Sequence, residues 1–159
     1  MANFFIRASI RAAQPADTPV LLAMIADLAA HHGDTATTDA LLLAADLFGD
    51  RPWATAFVAE DLSGLTGYAV LCPLYRAQFG QRGMNLHHLF VKLEKRGMGI
   101  GSSLIQASLD YARAQRCSYF MIGAASENLA AQAFYERLGF ERLDQSGVHF
   151  MQTLAPSKI

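Results

Sequence analysis

Three glycines in six residues, Arg96-Gly-Met-Gly-Ile-Gly101, stand between an apolar run at 86–91 and a run of helical period at 102–114. No other stretch of this 159-residue chain restricts its fold so strongly. Glycine reaches positive φ at little cost and lets a backbone close on whatever it binds. The first amides of a helix are unpaired donors at the positive end of a dipole, so a glycine turn opening a helix is suited to an anion. Strand, glycine turn and helix in succession predict a βα unit with a phosphate-binding loop.

Rival glycine motifs fit less well. The register of G-x-G-x-x-G is not met, and the apolar stretch 119–122 lies where a dinucleotide fold needs a ribose-binding acid. Ser102 and Ser103 follow the last glycine, where a Walker loop has its lysine. About thirty residues on, Asn128-Leu-Ala-Ala-Gln-Ala-Phe-Tyr135-Glu-Arg-Leu-Gly-Phe140 puts a tyrosine on a second helix. A cradle for phosphates together with a positioned phenol points to group transfer from a phosphorylated carrier.

These two segments, in this order, resemble the GNAT superfamily of N-acetyltransferases. The first matches R/Q-x-x-G-x-G/A and the second matches N-x-x-A-x-x-F-Y-x-x-L-G-F. The likeness runs from Ile10-Arg11 to about Leu154. Its diamine (spermidine/spermine) acetyltransferase branch is the most similar in appearance, through Leu86-His-His-Leu-Phe-Val91 and Gly99-Ile-Gly-Ser102. The resemblance implies an α/β fold with a mixed, twisted central sheet flanked by helices, and a single acetyltransferase domain over 1–159. It implies acetyl-CoA as acyl donor, a primary amine of a small molecule as acceptor, direct attack of the amine on the thioester, and a homodimer. A protein-lysine acetyltransferase and a non-catalytic acyl-CoA sensor are the alternatives.

The resemblance also assigns residues. The amides of Gly97, Gly99, Gly101 and Ser102 hold the pyrophosphate, within a loop that includes Arg96, Met98 and Ile100. Backbone groups of Leu89, Phe90 and Val91 meet the acetyl carbonyl and pantetheine, and Asn128 and Ala131 complete the cofactor set. Tyr135 is the general acid that protonates the departing thiolate. Where the diamine branch carries acidic residues on its strand, this chain has His87 and His88. Where that branch has tyrosine and glutamate at the end of its first helix, it has His31 and His32. All four are expected at the acceptor site, with His87 as base. Imidazole is half-protonated near pH 6.5 and cannot replace carboxylates as a dication trap, so a less cationic acceptor than a polyamine is expected.

Composition sets the remaining bounds. A net charge of −1 gives no general attraction to nucleic acid, although Lys92, Lys95 and Arg96 cluster beside the glycine loop. Two cysteines are too few for a secreted disulfide framework and read as small buried residues. No stretch is long and apolar enough to span a bilayer, and no signal peptide is evident, so a cytoplasmic location is expected. No metal is expected: adjacent histidines on a strand point to opposite faces and are poorly placed to ligate one ion together.

Along the chain, a strand at 6–11 leads to a helix capped by Asp17 and ending near His31-His32-Gly33. A second helix is expected over 38–48. Strands at 55–60 and 66–72 form a hairpin joined at Ser63-Gly64, and a polar connection at 75–82 follows. Strands at 84–91 and 119–124 flank the glycine loop and its helix. A helix at 128–138 and a closing strand at 148–154 end the chain. The aromatics Phe48, Trp53, Tyr75 and Phe79 fit either an acceptor-site wall or core packing.

Overall fold

The computed structural model describes residues 8–143 and 149–154. They form two compact units, which divide between Gly123 and Ala124.

The first unit is built on a sheet in the order β1-β2-β3-β4-β5. β1 (Ser9–Ala12), β2 (Thr55–Asp61), β3 (Gly64–Arg76) and β4 (Gln81–Val91) are antiparallel neighbours, and β5 (Tyr119–Ile122) runs parallel to β4. A parallel pair needs a crossover, and α3 (Ile100–Ala114) supplies it. Helices α1 (Thr18–His31) and α2 (Ala40–Phe48) fill the connection from β1 to β2.

Alternation along β3 divides the core. Tyr68 packs with Leu21 and Met24 of α1, Leu43 of α2, Val58 and Phe90. One residue earlier, Gly67 faces Leu104 of α3. The sheet is thus covered by α1 and α2 on one face and by α3 on the other, which explains its nearly unbroken apolar central strands. Leu21, Leu71 and Leu104 are fully buried, and each such side chain contributes about 1.5–3 kcal/mol of burial.

Gly67 marks a close approach of β3 and β4. A Cβ there would lie 2.6 Å from the Phe90 carbonyl oxygen and 3.4 Å from Val91 Cα, both backbone atoms that cannot swing aside. Gly67→Ala is expected to destabilise the protein by about 1–3 kcal/mol, as overpacking does, read from its denaturant midpoint. A midpoint within error of wild type would show that the strands separate freely here.

Several boundaries differ from expectation. The stretch read as a polar connection at 75–82 is mostly strand: β3 continues to Arg76, a single 3-10 turn at Ala77–Phe79 reverses the chain, and β4 begins at Gln81. Cross-strand pairing carries these polar and aromatic residues despite their weak alternation. Asp17 does not cap α1 with its side chain. Its carboxylate instead accepts both terminal nitrogens of Arg11, at 2.7 and 2.9 Å, and the Gln14 amide. Thr38 lies outside α2, because Asp39 is the cap and its side chain accepts from the Leu42 amide. Trp53, Tyr75 and Phe79 are largely exposed and do not pack in the core. Cys72 and Cys117 are free thiols, partly buried.

In the second unit, α4 (Leu129–Arg137) begins at Asn128 and stops at Leu138, followed by Gly139 at φ +88°. Residues 149–154 are not strand. The start of the expected closing strand, Val148, lies outside the described residues, as do positions 6 and 7 of the expected first strand. Among the described residues no helix is long and apolar enough to cross a membrane.

Candidate active site

β4 is the element on which the site is built. It pairs with β5 only from Gly83 to Leu86, because β5 ends at Ile122. Beyond that point, among the described residues, one edge of β4 has no strand beside it. Which groups face this edge follows from one bond: the Lys92 amide donates to Thr66 on β3 at 2.9 Å. Backbone direction alternates along a strand, so Phe90 also faces β3 while Leu89 and Val91 face the open edge. Of the three strand residues expected at the cofactor, Leu89 and Val91 therefore turn their backbone groups to the open edge, where the Val91 carbonyl is taken by Arg96 Nε. Phe90 turns its own inward and buries its ring in the core.

The glycine loop follows directly. Gly97 and Gly99 have φ of +77° and +81°, and a Cβ at either would meet no atom within 4 Å. Gly99 is the N-cap of α3 and has no side-chain cap, so the first-turn amides at Ile100, Gly101 and Ser102 are left as unpaired donors. Ile100 is buried and contributes its amide alone, whereas Met98 is exposed. Arg96 donates from Nε to the Val91 carbonyl at 3.0 Å, which ties the loop to the open edge of β4. Lys95, one of the three basic residues expected near a diphosphate, is already engaged: its Nζ lies 2.6 Å from Asp61 Oδ2. That pairing, with two bonds from Ser63, holds the Asp61 carboxyl at about 2, well below the usual range. Lys95 therefore anchors the loop to the β2–β3 turn.

The histidines are grouped by a bulge. Val70 pairs with His88 but Leu71 with Leu86, so His87 is an extra residue on β4. An inserted residue breaks the alternation of faces. The rings of His87 and His88 consequently stack on one side, 4.5 Å apart and 12° from parallel. This corrects the expectation that the two point to opposite faces. His88 lies on the α1 side, where Tyr68 Oη is 3.2 Å from its Nδ1. Burial, then His87, then His32 push His88 below its ordinary value, so its imidazole is neutral at pH 7. His32 and His31, edge to face at 5.6 Å, end α1 and are exposed. His32 is thus near enough to act on His88. Among the described residues no three metal-binding side chains form a group able to hold an ion.

Sequence reasoning missed Tyr68 and Asp61. A tyrosine inside an otherwise apolar strand was the available signal for the first, since a buried phenol needs a partner. Pairing of Asp61 with Lys95 spans 34 residues and left no local trace.

In the second unit, Asn128 caps α4 by accepting from the Ala131 amide at 3.1 Å. Among the described residues that leaves the Asn128 amino group without an acceptor, and Ala131 as a small side chain. Tyr135 lies against Phe134 and Phe140, with ring centroids at 5.5 and 6.3 Å. Burial raises its phenol above the ordinary value, so it is protonated at neutral pH.

Comparison with known proteins bears on this arrangement. Residues 22–140 match the model of the acetyltransferase (GNAT) family. The chain is 32% identical over 147 residues to thialysine N-epsilon-acetyltransferase of Sus scrofa, covering 86% of each chain. It is 34% identical over 143 residues to the L-methionine sulfoximine/L-methionine sulfone acetyltransferase of Pseudomonas paraeruginosa, covering 84% of this chain and 80% of the relative. Among solved structures, an acetyltransferase from Agrobacterium tumefaciens described as putative superposes with a TM-score of 0.74 at 25% identity, over 91% of this chain and 99% of the other. The chain belongs to the GNAT acetyltransferase family and is an N-acetyltransferase that draws its acetyl group from acetyl-CoA.

Proposed function

We propose that the acceptor is the amine of a free amino acid or a close amino-acid derivative. The observation that carries this reading is the β4 bulge, which stacks His87 on His88 where the diamine branch has carboxylates. A surface of imidazoles, one of them held neutral, offers N–H donors and lone pairs but no negative charge to gather a dication. An amino acid carries a carboxylate that such a surface tolerates and a polyamine does not. The two relatives named for thialysine and for methionine sulfoximine or sulfone lend support, since both names are of amino acids.

In this reading the first-turn amides of α3 bind the pyrophosphate, and the Leu89 and Val91 backbone receives the pantetheine arm and acetyl carbonyl. An amide directed at that carbonyl stabilises the oxyanion as it forms. His87 takes a proton from the attacking amine, the N–C bond forms, the C–S bond breaks, and Tyr135 gives its proton to the sulfur. Residues 1–159 act as one domain, in the cytoplasm, as a homodimer.

The test is acetyl-CoA-dependent thiol release with free amino acids, spermidine, aminoglycosides and lysine peptides. Amino acids are expected to exceed spermidine in kcat/KM by at least tenfold, about 1.4 kcal/mol, because the site offers N–H donors to a carboxylate and no counter-charge to a dication. Equal turnover of spermidine and amino acids overturns the reading, and turnover of peptides alone assigns a protein-lysine acetyltransferase.

A further inference from the structure

Tyr68 has no exposed surface, and its ring lies 5.9 Å from that of Phe90 in the α1–α2 core. A hydroxyl so placed cannot reach water, and leaving its hydrogen unpaired is costly. Among the described residues its one hydrogen-bond partner is Nδ1 of His88, at 3.2 Å. Were Nδ1 protonated and donating, the phenol hydrogen would have no acceptor. The hydroxyl therefore donates, and Nδ1 accepts. A neutral imidazole whose Nδ1 accepts carries its hydrogen on Nε2.

We propose that Tyr68 is a positioning residue that locks His88 in the Nε2–H tautomer, so that His88 offers a hydrogen-bond donor to an oxygen of the acceptor and His87 alone of the pair takes the amine's proton. His88 has no lone pair left on its outer nitrogen in this state. His87, the exposed bulge residue, has no hydrogen-bond partner among the described residues and keeps an accepting nitrogen in either tautomer. The groups around His88 favour its neutral form: His87 stacks on it from β4, His32 approaches from the end of α1, and Tyr68 meets it from β3. Burial, and after it Asp27 of α1, raises the Tyr68 phenol and keeps it protonated. The division of labour rests on the amine-acceptor reading above; the tautomer itself does not.

Long-range 1H–15N correlation spectra of histidine-labelled protein at about pH 8, where imidazole is neutral, read the tautomer directly. The His88 signals are identified by their loss in His88→Gln. Nε2 is expected to be protonated and Nδ1 bare, and in Tyr68→Phe the Nδ1 signal should move toward that of an unbonded nitrogen. An Nδ1–H tautomer in wild type, or an unmoved Nδ1 in Tyr68→Phe, overturns the lock. Should Tyr68→Phe not fold, the wild-type spectrum still decides the tautomer. Kinetically, glutamine at 88 keeps an N–H at the outer position, whereas glutamine at 87 removes the base. The kcat of His87→Gln is expected to fall at least tenfold below that of His88→Gln, and the reverse order overturns the division of labour. The expected spectrum in a protein that acetylates no amine would fault the acceptor reading and leave the lock standing.

Discussion

Gly99→Val is expected to lower kcat/KM for acetyl-CoA about a hundredfold, with most of the loss in KM. Gly99 has φ +81° and caps α3 without help from any side chain. A non-glycine residue in this left-handed region costs about 1–2 kcal/mol, and a β-branched one more. Nothing lies within 4 Å of where its Cβ would be, so the penalty is conformational and no clash enforces it. The loop relieves that strain by turning away, and the first-turn amides turn with it. Losing one charge-assisted bond to a phosphate costs about 1.5–3 kcal/mol. Whether the loop keeps the strain when it binds or relieves it at the cost of a bond, the penalty reaches roughly 3 kcal/mol, or two orders of magnitude. Gly99→Asn separates the two contributions, since asparagine visits the left-handed region more readily and should retain about tenfold more activity than valine. Steady-state kinetics at varied acetyl-CoA checks both. A Gly99→Val enzyme with unchanged KM for acetyl-CoA would remove the loop from cofactor binding.

How much of this was legible beforehand depended on whether the signal was local. The glycine loop was, because positive φ and an unpaired helix start are properties of a few consecutive residues. Asn128 was legible as the head of α4 for the same reason: capping requires a side-chain oxygen three residues before the amide it serves. The β3–β4 hairpin was misread at 75–82 because Tyr75, Arg76 and Gln81 are held in strand by partners across the hairpin. The bulge at His87 could not be read at all. Period-two alternation predicted opposite faces for the two histidines, and one extra residue, visible only in the pairing of Val70 and Leu71, put them together. Tyr68 and Lys95 illustrate the same limit. Each gains its role from a group 20 or 34 residues away, so no window of sequence could connect them. Asp17 failed for the opposite reason: its local capping pattern was correct, but the Arg11 guanidinium made a stronger, charged claim on the same oxygens.

Tyr135→Phe should reduce kcat by about two orders of magnitude while leaving the KM for both substrates within a few-fold of wild type. The substitution deletes one oxygen and keeps the ring that packs against Phe134 and Phe140, so α4 and its cap should be undisturbed. Among the described residues the hydroxyl has no hydrogen-bond partner, so no internal bond is lost with it and the fold should melt at an unchanged temperature. Burial raises the phenol above its ordinary value of 10.0, whereas a thiol titrates near 8.5. Full transfer of the phenol's proton to the thiolate is therefore uphill. In the proposed role the hydroxyl would act most on the sulfur as charge gathers there, through a bond that exists in the transition state and hardly in the ground state. Such an interaction changes kcat and leaves KM alone. General acids contribute about 10²–10⁴-fold, and the uphill transfer places Tyr135 at the lower end. Replacing the thioester by a donor whose thiol is more acidic should shrink the defect, since that sulfur leaves with less need of a proton. A defect of constant size across donors of differing thiol acidity would deny Tyr135 the role of acid, and a loss seen only in KM would make it a binding residue.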